Sequence, residues 1–221
     1  MVHIFDVDYT VIRRPSSWYF IREALSKKAI GFSQVRGLPF EWIRYKMGIP
    51  NNDFIEEAVK RIAGVKRETL EALTETCFTR RMKAGIYVKA AQLINEIQKR
   101  GERTIFASSS LHIMIQPLER FLGISESLAS ALEFSQGKAT GRIAGVSLFG
   151  EKKKAAVIDW LTQHAIEPRD VSFYTDSYTD IPLLEYCGYA VAVNPDRFLE
   201  RHAKKHGWQI LRFHKTLGLD I

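Results

Sequence analysis

The chain has 221 residues, of which 46% are hydrophobic and 26% are charged, the balance of an ordinary globular protein with one or two domains. No apolar run approaches the roughly 20 residues that a membrane span needs, and the N-terminus lacks the pattern of a signal peptide. The cysteines are Cys77 and Cys187, whose spacing is not that of a metal site, so we expect a reduced, cytoplasmic protein.

The net charge of +7 is confined to one segment. Residues 11–84 hold 15 Lys or Arg and 8 Asp or Glu, whereas the rest of the chain holds 17 of each kind. Such a localised field could attract an anionic ligand, a nucleic acid or an anionic membrane surface. A solvated basic face is the commoner explanation, so we expect no nucleic-acid partner.

The first predicted strand leads directly to two acids and a hydroxyl. The apolar run at residues 2–7 predicts a strand that is buried on both faces, as in a parallel sheet. Asp6, Asp8 and Thr10 follow at a spacing of two, which places both acids on one side if the strand continues that far. Two buried carboxylates repel each other, so a divalent cation is a natural partner. Acidic residues that merely cap the strand end are the alternative.

Residues 15–81 predict a small helical module inserted after this strand. Helical periodicity recurs there in several short pieces, without a convincing strand. The predicted helices cover residues 18–25, residues 40–47, a stretch begun by Asn52 or Asp53 and ended by Gly64, and residues 69–80. We therefore predict a helical cap domain at residues 15–81 and a core domain at residues 1–14 and 82–221.

From Gly85 onward, helices alternate with strands. Strands are predicted at residues 103–107, 171–175, 189–193 and 209–213, a hairpin within 128–149, and helices at 86–100, 112–122, 151–165, 181–186 and 197–206. This alternation implies right-handed crossovers and an open parallel sheet. The predicted fold class is α/β, a Rossmann-like parallel sheet with helices on both faces and a helical cap inserted after the first strand.

Polar clusters fall at four predicted strand ends or helix starts, where open α/β sheets bind ligands. Besides the first acids, they are Ser108, the run Lys152–Lys154, and the pair Asp176 and Asp180. Ser108 would offer a hydroxyl and backbone N–H groups to an anion. The lysines lie at a helix N-terminus, where the helix macrodipole disfavours positive charge. Their presence there indicates that the site needs a cation. Asp176 and Asp180 could complete the oxygen shell of Mg²⁺. Helix capping and a solvated turn are the plain alternatives for each cluster alone.

The order of these motifs resembles that of a known family. Asp6-Val7-Asp8-Tyr9-Thr10, a strand-terminal serine, a lysine at a helix start and the later acid pair resemble the four motifs of haloacid dehalogenase superfamily phosphatases. The helical insert after the first motif is similar to the cap of the phosphoserine-phosphatase-like subgroup, and residues 174–184 are close to that subgroup's pattern. The resemblance covers nearly the whole chain.

The resemblance implies a Mg²⁺-dependent phosphomonoester hydrolase that acts on a small anionic phosphorylated metabolite. Asp6 would be the nucleophile that forms an aspartyl-phosphate, and Asp8 would be the general acid and base. Thr10, Ser108 and a lysine would bind the phosphoryl oxygens. Lys153 fits the subgroup's spacing best, and Lys152 remains an alternative.

The same resemblance implies a metal site and a set of substrate contacts. Mg²⁺ would be held by Asp6, the carbonyl of Asp8 and Asp176, with Asp180 close by. The predicted substrate-binding residues are Ser109, Tyr9, Arg13 and Arg14. Tyr9 and Thr175 stand where many relatives have glycine. Pro15 stands where phosphoserine phosphatases carry a glutamate that recognises the substrate amine, which argues against phosphoserine itself.

Other functions remain compatible with the sequence. A phosphotransferase or mutase would use the same chemistry, and a catalytically silent relative could serve as a binding module with a basic docking surface. The retention of Asp6, Asp8 and Asp176 favours an enzyme, because a silent relative has no need of both a nucleophile and a metal site. The sequence leaves the substrate and the oligomeric state open.

Overall fold

The computed structural model describes residues 1–27 and 54–218. The helix predicted at residues 40–47 and the predicted helix start at Asn52 or Asp53 lie outside the described residues. Within the described ranges, no helix is both long enough and apolar enough to cross a membrane.

The described residues form a seven-stranded sheet with the order β4-β3-β2-β1-β5-β6-β7. The strands are β1 (Val2–Phe5), β2 (Arg103–Leu111), β3 (Ser127–Ser135), β4 (Lys138–Ala144), β5 (Val171–Thr175), β6 (Tyr189–Val193) and β7 (Gln209–Leu211). The strands pair in parallel except for β3 with β4, which form an antiparallel hairpin. The strand order reverses direction at β1, so the carboxyl end of β1 is the place where such a sheet binds a ligand.

Helices cover both faces of the sheet. They are α1 (Ser16–Ser26), α2 (Phe54–Lys60), α3 (Arg67–Cys77), α4 (Val88–Lys99), α5 (His112–Leu122), α6 (Glu151–Gln163), α7 (Ile181–Leu184) and α8 (Arg197–His206). Alternation along β1 sends Phe5 to the face covered by α4 and α5, and Ile4 to the face covered by α6, α7 and α8. The predicted α/β class with a parallel sheet is confirmed.

The helical insert packs against the core as part of one hydrophobic cluster. Tyr19 of α1 and Leu73 of α3 belong to the same buried cluster as Phe5 of the sheet. A π-helical turn, Phe78–Met82, and a 3-10 turn, Lys83–Gly85, lead the chain back to the core. A Cβ at Gly85 would collide with the Tyr19 hydroxyl group, so a larger residue at this return would force the Tyr19 side chain to move. Because the packing is continuous, the domain division at residues 14/15 and 81/82 stays a prediction.

The β3–β4 hairpin is joined to the connection between α2 and α3 by backbone hydrogen bonds. Gly64 N donates to Ala139 O at 2.7 Å, Ala139 N donates to Val65 O at 2.9 Å, and Arg67 N donates to Gly137 O at 2.8 Å. These bonds satisfy backbone groups of both segments, and they attach the far part of the insert to the core.

Three strand ends differ from the sequence prediction. β1 ends at Phe5 instead of residue 7, because Val7 already belongs to the turn in which the backbone N–H of Val11 donates to Val7 O at 2.9 Å. β2 continues through the serines to Leu111 instead of ending at Ala107, because β3 pairs with Ser108 and, after a bulge, with Leu111. β7 ends at Leu211 instead of residue 213, because the backbone N–H of Phe213 donates to the Asn194 side chain rather than to a neighbouring strand.

Candidate active site

Asp6 lies at the carboxyl end of the central strand. Phe5 is in register with Phe106 of β2 and Tyr174 of β5, and the backbone N–H of Asp6 donates to Tyr174 O at 2.8 Å. This bond carries the parallel pairing one residue beyond β1, so Asp6 sits beside the end of β5, while β2 continues past it to Leu111. Its side chain is buried.

Lys153 connects two of the predicted acids. Its Nζ donates to Asp6 Oδ1 and to Asp180 Oδ2, each at 2.8 Å, and all three side chains are buried. Lys153 lies in the first turn of α6, whereas its neighbour Lys152 is exposed. The unfavourable position of Lys153 near a helix N-terminus is therefore offset by two carboxylates.

Burial and charge shift the ionisation of this group. Burial is the main reason why the pKa of Asp6 rises to about 7; the Lys153 ammonium acts to lower it, and the Asp180 carboxylate acts to raise it. Burial alone would lower the pKa of Lys153, but the charges of Asp180 and Asp6 outweigh burial and raise it. Lys153 therefore remains a cation at the point where a phosphate would need one.

Asp8 is held by two serines that the sequence analysis did not include in the site. The backbone N–H of Ser16 donates to Asp8 Oδ1 at 2.9 Å, and the Ser110 hydroxyl donates to Asp8 Oδ2 at 3.0 Å. Burial raises the pKa of Asp8, and the hydrogen bonds from Ser16 and Ser110 oppose that rise. A carboxyl group with a raised pKa and a fixed orientation suits a group that must give and take a proton.

The predicted phosphate-binding hydroxyls lie at the same edge of the sheet. Among the described residues, none makes a hydrogen bond to the fully buried Thr10 hydroxyl. Ser108 is buried, and its hydroxyl accepts the backbone N–H of Ser110 at 3.2 Å. Ser109 lies between these two serines and is half-buried. An unpaired buried hydroxyl is costly unless a ligand completes its hydrogen bonds, so Thr10 indicates a polar ligand here.

Tyr9 and Thr175, which stand where many relatives have glycine, are accommodated in different ways. Tyr9 has φ +61, the left-handed conformation in which a Cβ is unfavourable. Asn194 donates from its side chain to the Tyr9 carbonyl at 3.5 Å. Thr175 instead uses its side chain, since its hydroxyl donates to Asp180 Oδ2 at 2.7 Å and accepts the backbone N–H of Ser177 at 3.3 Å. Thr175 thus orients the acid that also receives Lys153.

The predicted metal ligands suit Mg²⁺ in their chemistry. Asp6 and Asp176 are buried carboxylates that follow the adjacent strands β1 and β5. In the part of the chain that the structure describes, no group of three or more His, Cys, Asp or Glu side chains is arranged to hold a metal ion. Mg²⁺ commonly takes only one or two carboxylates and completes its shell with carbonyl, water and phosphate oxygens. Two carboxylates and the Asp8 carbonyl fit that pattern. Asp180, which accepts hydrogen bonds from Lys153 and Thr175, fits a supporting position.

A model of haloacid dehalogenase-like hydrolases matches residues 4–185. The chain belongs to this family. The match spans every predicted catalytic and metal-binding residue, from Asp6 to Asp180, and it confirms the resemblance stated from the sequence.

Relatives from this hydrolase family carry the names of phosphatases. A histidinol-phosphatase from Neisseria meningitidis is 28% identical over 216 residues, which cover 95% of this chain and 97% of the relative. A phosphoserine phosphatase from Mycobacterium tuberculosis is 27% identical over 214 residues, covering 95% of this chain and 70% of the relative. The crystal structure of a protein of unknown function from Bordetella pertussis Tohama I has a TM-score of 0.86 at 24% identity, and the match covers 95% of this chain and 97% of that one. The chain is thus an enzyme of the phosphatase type.

The two predicted arginines of this hydrolase occupy different surroundings. The Arg13 side chain is exposed. Burial raises the pKa of Tyr87, the charge of Arg13 acts to lower it, and the charge of Asp176 acts to raise it. The guanidinium of Arg14 instead lies 4.6 Å from the ring centroid of Trp18.

Ser16, Ser110 and Asp196 contact the motif residues and were missed from the sequence. Ser110 was detectable in principle, because it is two residues after Ser108 and alternate strand residues share a face. Ser16 is the first residue of α1, after the N-cap residue Pro15, so its contact with Asp8 depends on how this helix packs. Asp196 donates its N–H to Asp176 O at 2.9 Å and accepts the N–H of Tyr178 at 2.9 Å. Only the folded chain brings Asp196 to this loop.

Proposed function

We propose that this phosphatase is a Mg²⁺-dependent phosphomonoesterase that acts on a small anionic metabolite through an aspartyl-phosphate on Asp6. The observation that carries the proposal is the Lys153 ammonium, held 2.8 Å from both Asp6 and Asp180 at the carboxyl end of the central strand. A buried cation beside a buried carboxylate, together with a Thr10 hydroxyl to which no described residue hydrogen-bonds, makes a site for a dianionic phosphoryl group.

The first step transfers the phosphoryl group to the enzyme. A carboxylate oxygen of Asp6 attacks phosphorus, and the bond between phosphorus and the ester oxygen breaks. Asp8 gives its proton to the departing oxygen, so the product leaves as a neutral alcohol. Dividing the transfer into two displacements avoids one difficult direct attack by water.

The second step releases phosphate. Asp8, now a carboxylate, takes a proton from a water molecule that attacks phosphorus, and the bond to the Asp6 oxygen breaks. Both side chains return to their starting protonation states, so the cycle balances.

The phosphoryl oxygens need donors throughout this cycle. Lys153, Thr10 and the Ser108 hydroxyl are assigned to this task, and Ser109 contributes from the same strand. Bound Mg²⁺, held by Asp6, Asp176 and the Asp8 carbonyl, would neutralise charge on the phosphoryl oxygens and reduce their repulsion from the carboxylate.

The substrate is assigned only by class. The names of the relatives make histidinol phosphate and phosphoserine the first compounds to test. Proline at position 15 argues against phosphoserine as the substrate. Phosphoserine phosphatases have a glutamate at the matching position, which pairs with the amine of phosphoserine, and this chain lacks it. Arg13 and Arg14 are proposed to favour a substrate with a second anionic group, although Arg14 already stacks on Trp18. A cytoplasmic location is part of the same proposal.

The test is phosphate release from L-histidinol phosphate, L-phosphoserine, other phosphorylated metabolites and 4-nitrophenyl phosphate, with Mg²⁺ and then with EDTA. We expect turnover with Mg²⁺ that falls to background with EDTA and returns when Mg²⁺ is added back. The Asp6→Asn variant should fold normally and lose turnover by at least about 10³-fold, because it lacks the attacking carboxylate. Full activity in that variant would exclude the covalent mechanism. Transfer of phosphate to an added alcohol in place of water would indicate a phosphotransferase instead.

A further inference from the structure

The two serines on Asp8 belong to a chain of hydroxyl groups that joins the insert to the core. Ser16 is the first residue of α1, and Ser110 lies near the end of β2. Their hydroxyl oxygens are 2.7 Å apart, and the Ser110 hydroxyl is 3.0 Å from Asp8 Oδ2. Ser16 is fully buried. The carboxyl group that is proposed to exchange protons with the substrate is thus held from two directions.

The direction of the hydrogen bonds in this chain depends on whether Asp8 carries its proton. A serine hydroxyl has one proton to donate and two lone pairs to accept with. When Asp8 is a carboxylate, the Ser110 proton goes to Asp8 Oδ2, and the Ser16 hydroxyl can donate to Ser110. The backbone N–H of Ser16 donates to the other oxygen, Asp8 Oδ1. The two serines therefore hold both oxygens of the carboxyl group.

We infer that Ser110 is a positioning residue that orients Asp8 for protonating the leaving group, and that the Ser16 hydroxyl acts through it. The inference rests on the proposed function, because it assumes that Asp8 is the general acid. Without the Ser110 bond, Asp8 Oδ2 would lose its donor and the carboxyl group could turn about its terminal torsion, which is intrinsically broad. A misdirected acid lowers the rate of the step that needs its proton.

The need for that proton depends on the leaving group. An alkyl phosphate must receive a proton as the bond between phosphorus and oxygen breaks, because an alkoxide is a poor leaving group. The nitrophenolate of 4-nitrophenyl phosphate leaves as a stable anion without a proton. The value of kcat/KM reports on the steps up to departure of the leaving group. Both substrates bind through the same phosphoryl group, so a comparison of their kcat/KM values separates proton donation from phosphate binding.

The experiment measures kcat/KM with Mg²⁺ for the full chain and its Ser110→Ala variant. The substrates are 4-nitrophenyl phosphate and whichever of L-histidinol phosphate, L-phosphoserine and β-glycerophosphate the unaltered protein hydrolyses fastest. We expect a fall of about 10-fold for the alkyl phosphate, a fraction of the roughly 10²–10⁴-fold that a positioned general acid supplies. The value for 4-nitrophenyl phosphate should change less than about 2-fold.

Matched variants separate positioning from loss of structure. Ser110→Thr keeps the hydroxyl and should restore most of the alkyl rate, and Ser110→Cys, with a weak donor of similar shape, should lie between. Ser127→Ala removes a buried hydroxyl that has no hydrogen-bond partner in the described part of the chain, and it should leave the ratio of the two kcat/KM values unchanged. Adding Ser16→Ala to Ser110→Ala should cause no further loss, since Ser16 acts through Ser110.

The outcomes distinguish this inference from the proposed function. If the unaltered protein hydrolyses both substrates and Ser110→Ala lowers both values equally, or neither, Ser110 does not position the acid. The same conclusion follows if Ser110→Thr behaves like Ser110→Ala while both remain folded. If Ser110→Ala fails to fold, the Ser110→Cys ratio decides in its place. If the unaltered protein hydrolyses no phosphate ester, the proposed function fails, and the inference fails with it.

Discussion

Lys153 shows how one side chain can make a costly arrangement of charges stable. Asp6, Asp180 and Lys153 are all buried, and each carboxylate is 2.8 Å from the ammonium. Removing one partner of a buried ion pair leaves an uncompensated charge, which costs more than the pair itself contributes. We therefore expect Lys153 to matter for folding as well as for the proposed binding of phosphate.

We predict that Lys153→Met lowers the free energy of unfolding by about 3 kcal/mol and kcat/KM by at least about 100-fold. The methionine side chain fills similar volume, but both acids lose their cation. Urea denaturation and phosphate release measure the two effects. Lys152→Met is the matched control, because Lys152 is exposed; it should change stability by less than about 0.5 kcal/mol and leave activity intact. Equal effects in the two variants would contradict the assignment of Lys153.

At the scale of single residues, the sequence indicated the site where spacing is local. Asp6, Asp8 and Thr10 were found because they follow a buried strand directly, although the chain turns after Phe5 and does not continue as a strand through them. Ser16 and Asp196 were not predictable in this way, because their partners are brought close by helix packing and by a loop between distant strands. Thr175 was seen as a departure from glycine, but its hydrogen bond to Asp180 depends on the folded loop.

At the scale of elements, salt bridges from a buried acid to two more exposed arginines connect the first helix of the insert to its last turn. Glu23 of α1 is completely buried, and it accepts hydrogen bonds from Arg81 Nε at 2.7 Å and Arg80 Nη1 at 3.2 Å. Both arginines lie in the π-helical turn Phe78–Met82. Burial works to raise the pKa of Glu23, but the bond from Arg81 and the charges of both arginines outweigh burial and lower it.

We predict that Glu23→Gln destabilises the protein by about 2 kcal/mol at pH 7, the typical loss for hydrogen bonds to a charged group. Because the folded pKa of Glu23 lies below the unfolded value of about 4.3, its contribution is fully present above that value. The contribution is lost as the pH falls through the folded pKa. The stability difference between the two proteins, measured by urea denaturation from pH 7 down to pH 3, should therefore shrink below about pH 4.3.

The control for this prediction is Glu71→Gln on α3. Glu71 is half exposed and lies 4.0 Å from Arg67, so its removal should cost less than about 0.5 kcal/mol at any pH. A Glu23→Gln penalty that does not depend on pH would show that packing, and not charge, is what Glu23 provides.

Element type was predictable where periodicity was strong, and element ends were less so. The sequence predicts a helix at residues 112–122 and a strand at 171–175, and the structure has both with these bounds. The end of β2 was missed because it depends on pairing with β3, which serine-rich sequence cannot indicate. The fourth helix of the insert continues as a π-helical turn after Cys77, a change that periodicity does not reveal.

At the scale of the whole molecule, the proposed metal should stabilise the fold. A ligand that binds only the folded state adds about 2.7 kcal/mol at 100 times its Kd, and 1 kcal/mol shifts the melting temperature of a protein this size by about 2–4 °C. We therefore predict that saturating Mg²⁺ raises the melting temperature by roughly 5–10 °C relative to EDTA. Circular dichroism measures the shift without any substrate.

The acids of the site should account for that shift. Asp176→Asn should remove most of it, whereas Asp159→Asn, which alters an exposed acid on α6, should retain it. A full shift in Asp176→Asn would place the Mg²⁺ that stabilises the protein at a different position.

The central place of β1 also has a consequence for the order in which the protein can form during synthesis. Val2 pairs with Arg103 on one side and with Val171 on the other, so the strand that is made first receives its neighbours late. At roughly 5–20 residues per second, the nascent β1 waits on the order of ten seconds for β5. During that time Asp6, the insert and β2 have already been made, but β5, which accepts the backbone N–H of Asp6, has not. A chain that stops before β5 therefore leaves one edge of β1 unpaired, and such an edge invites pairing with other chains.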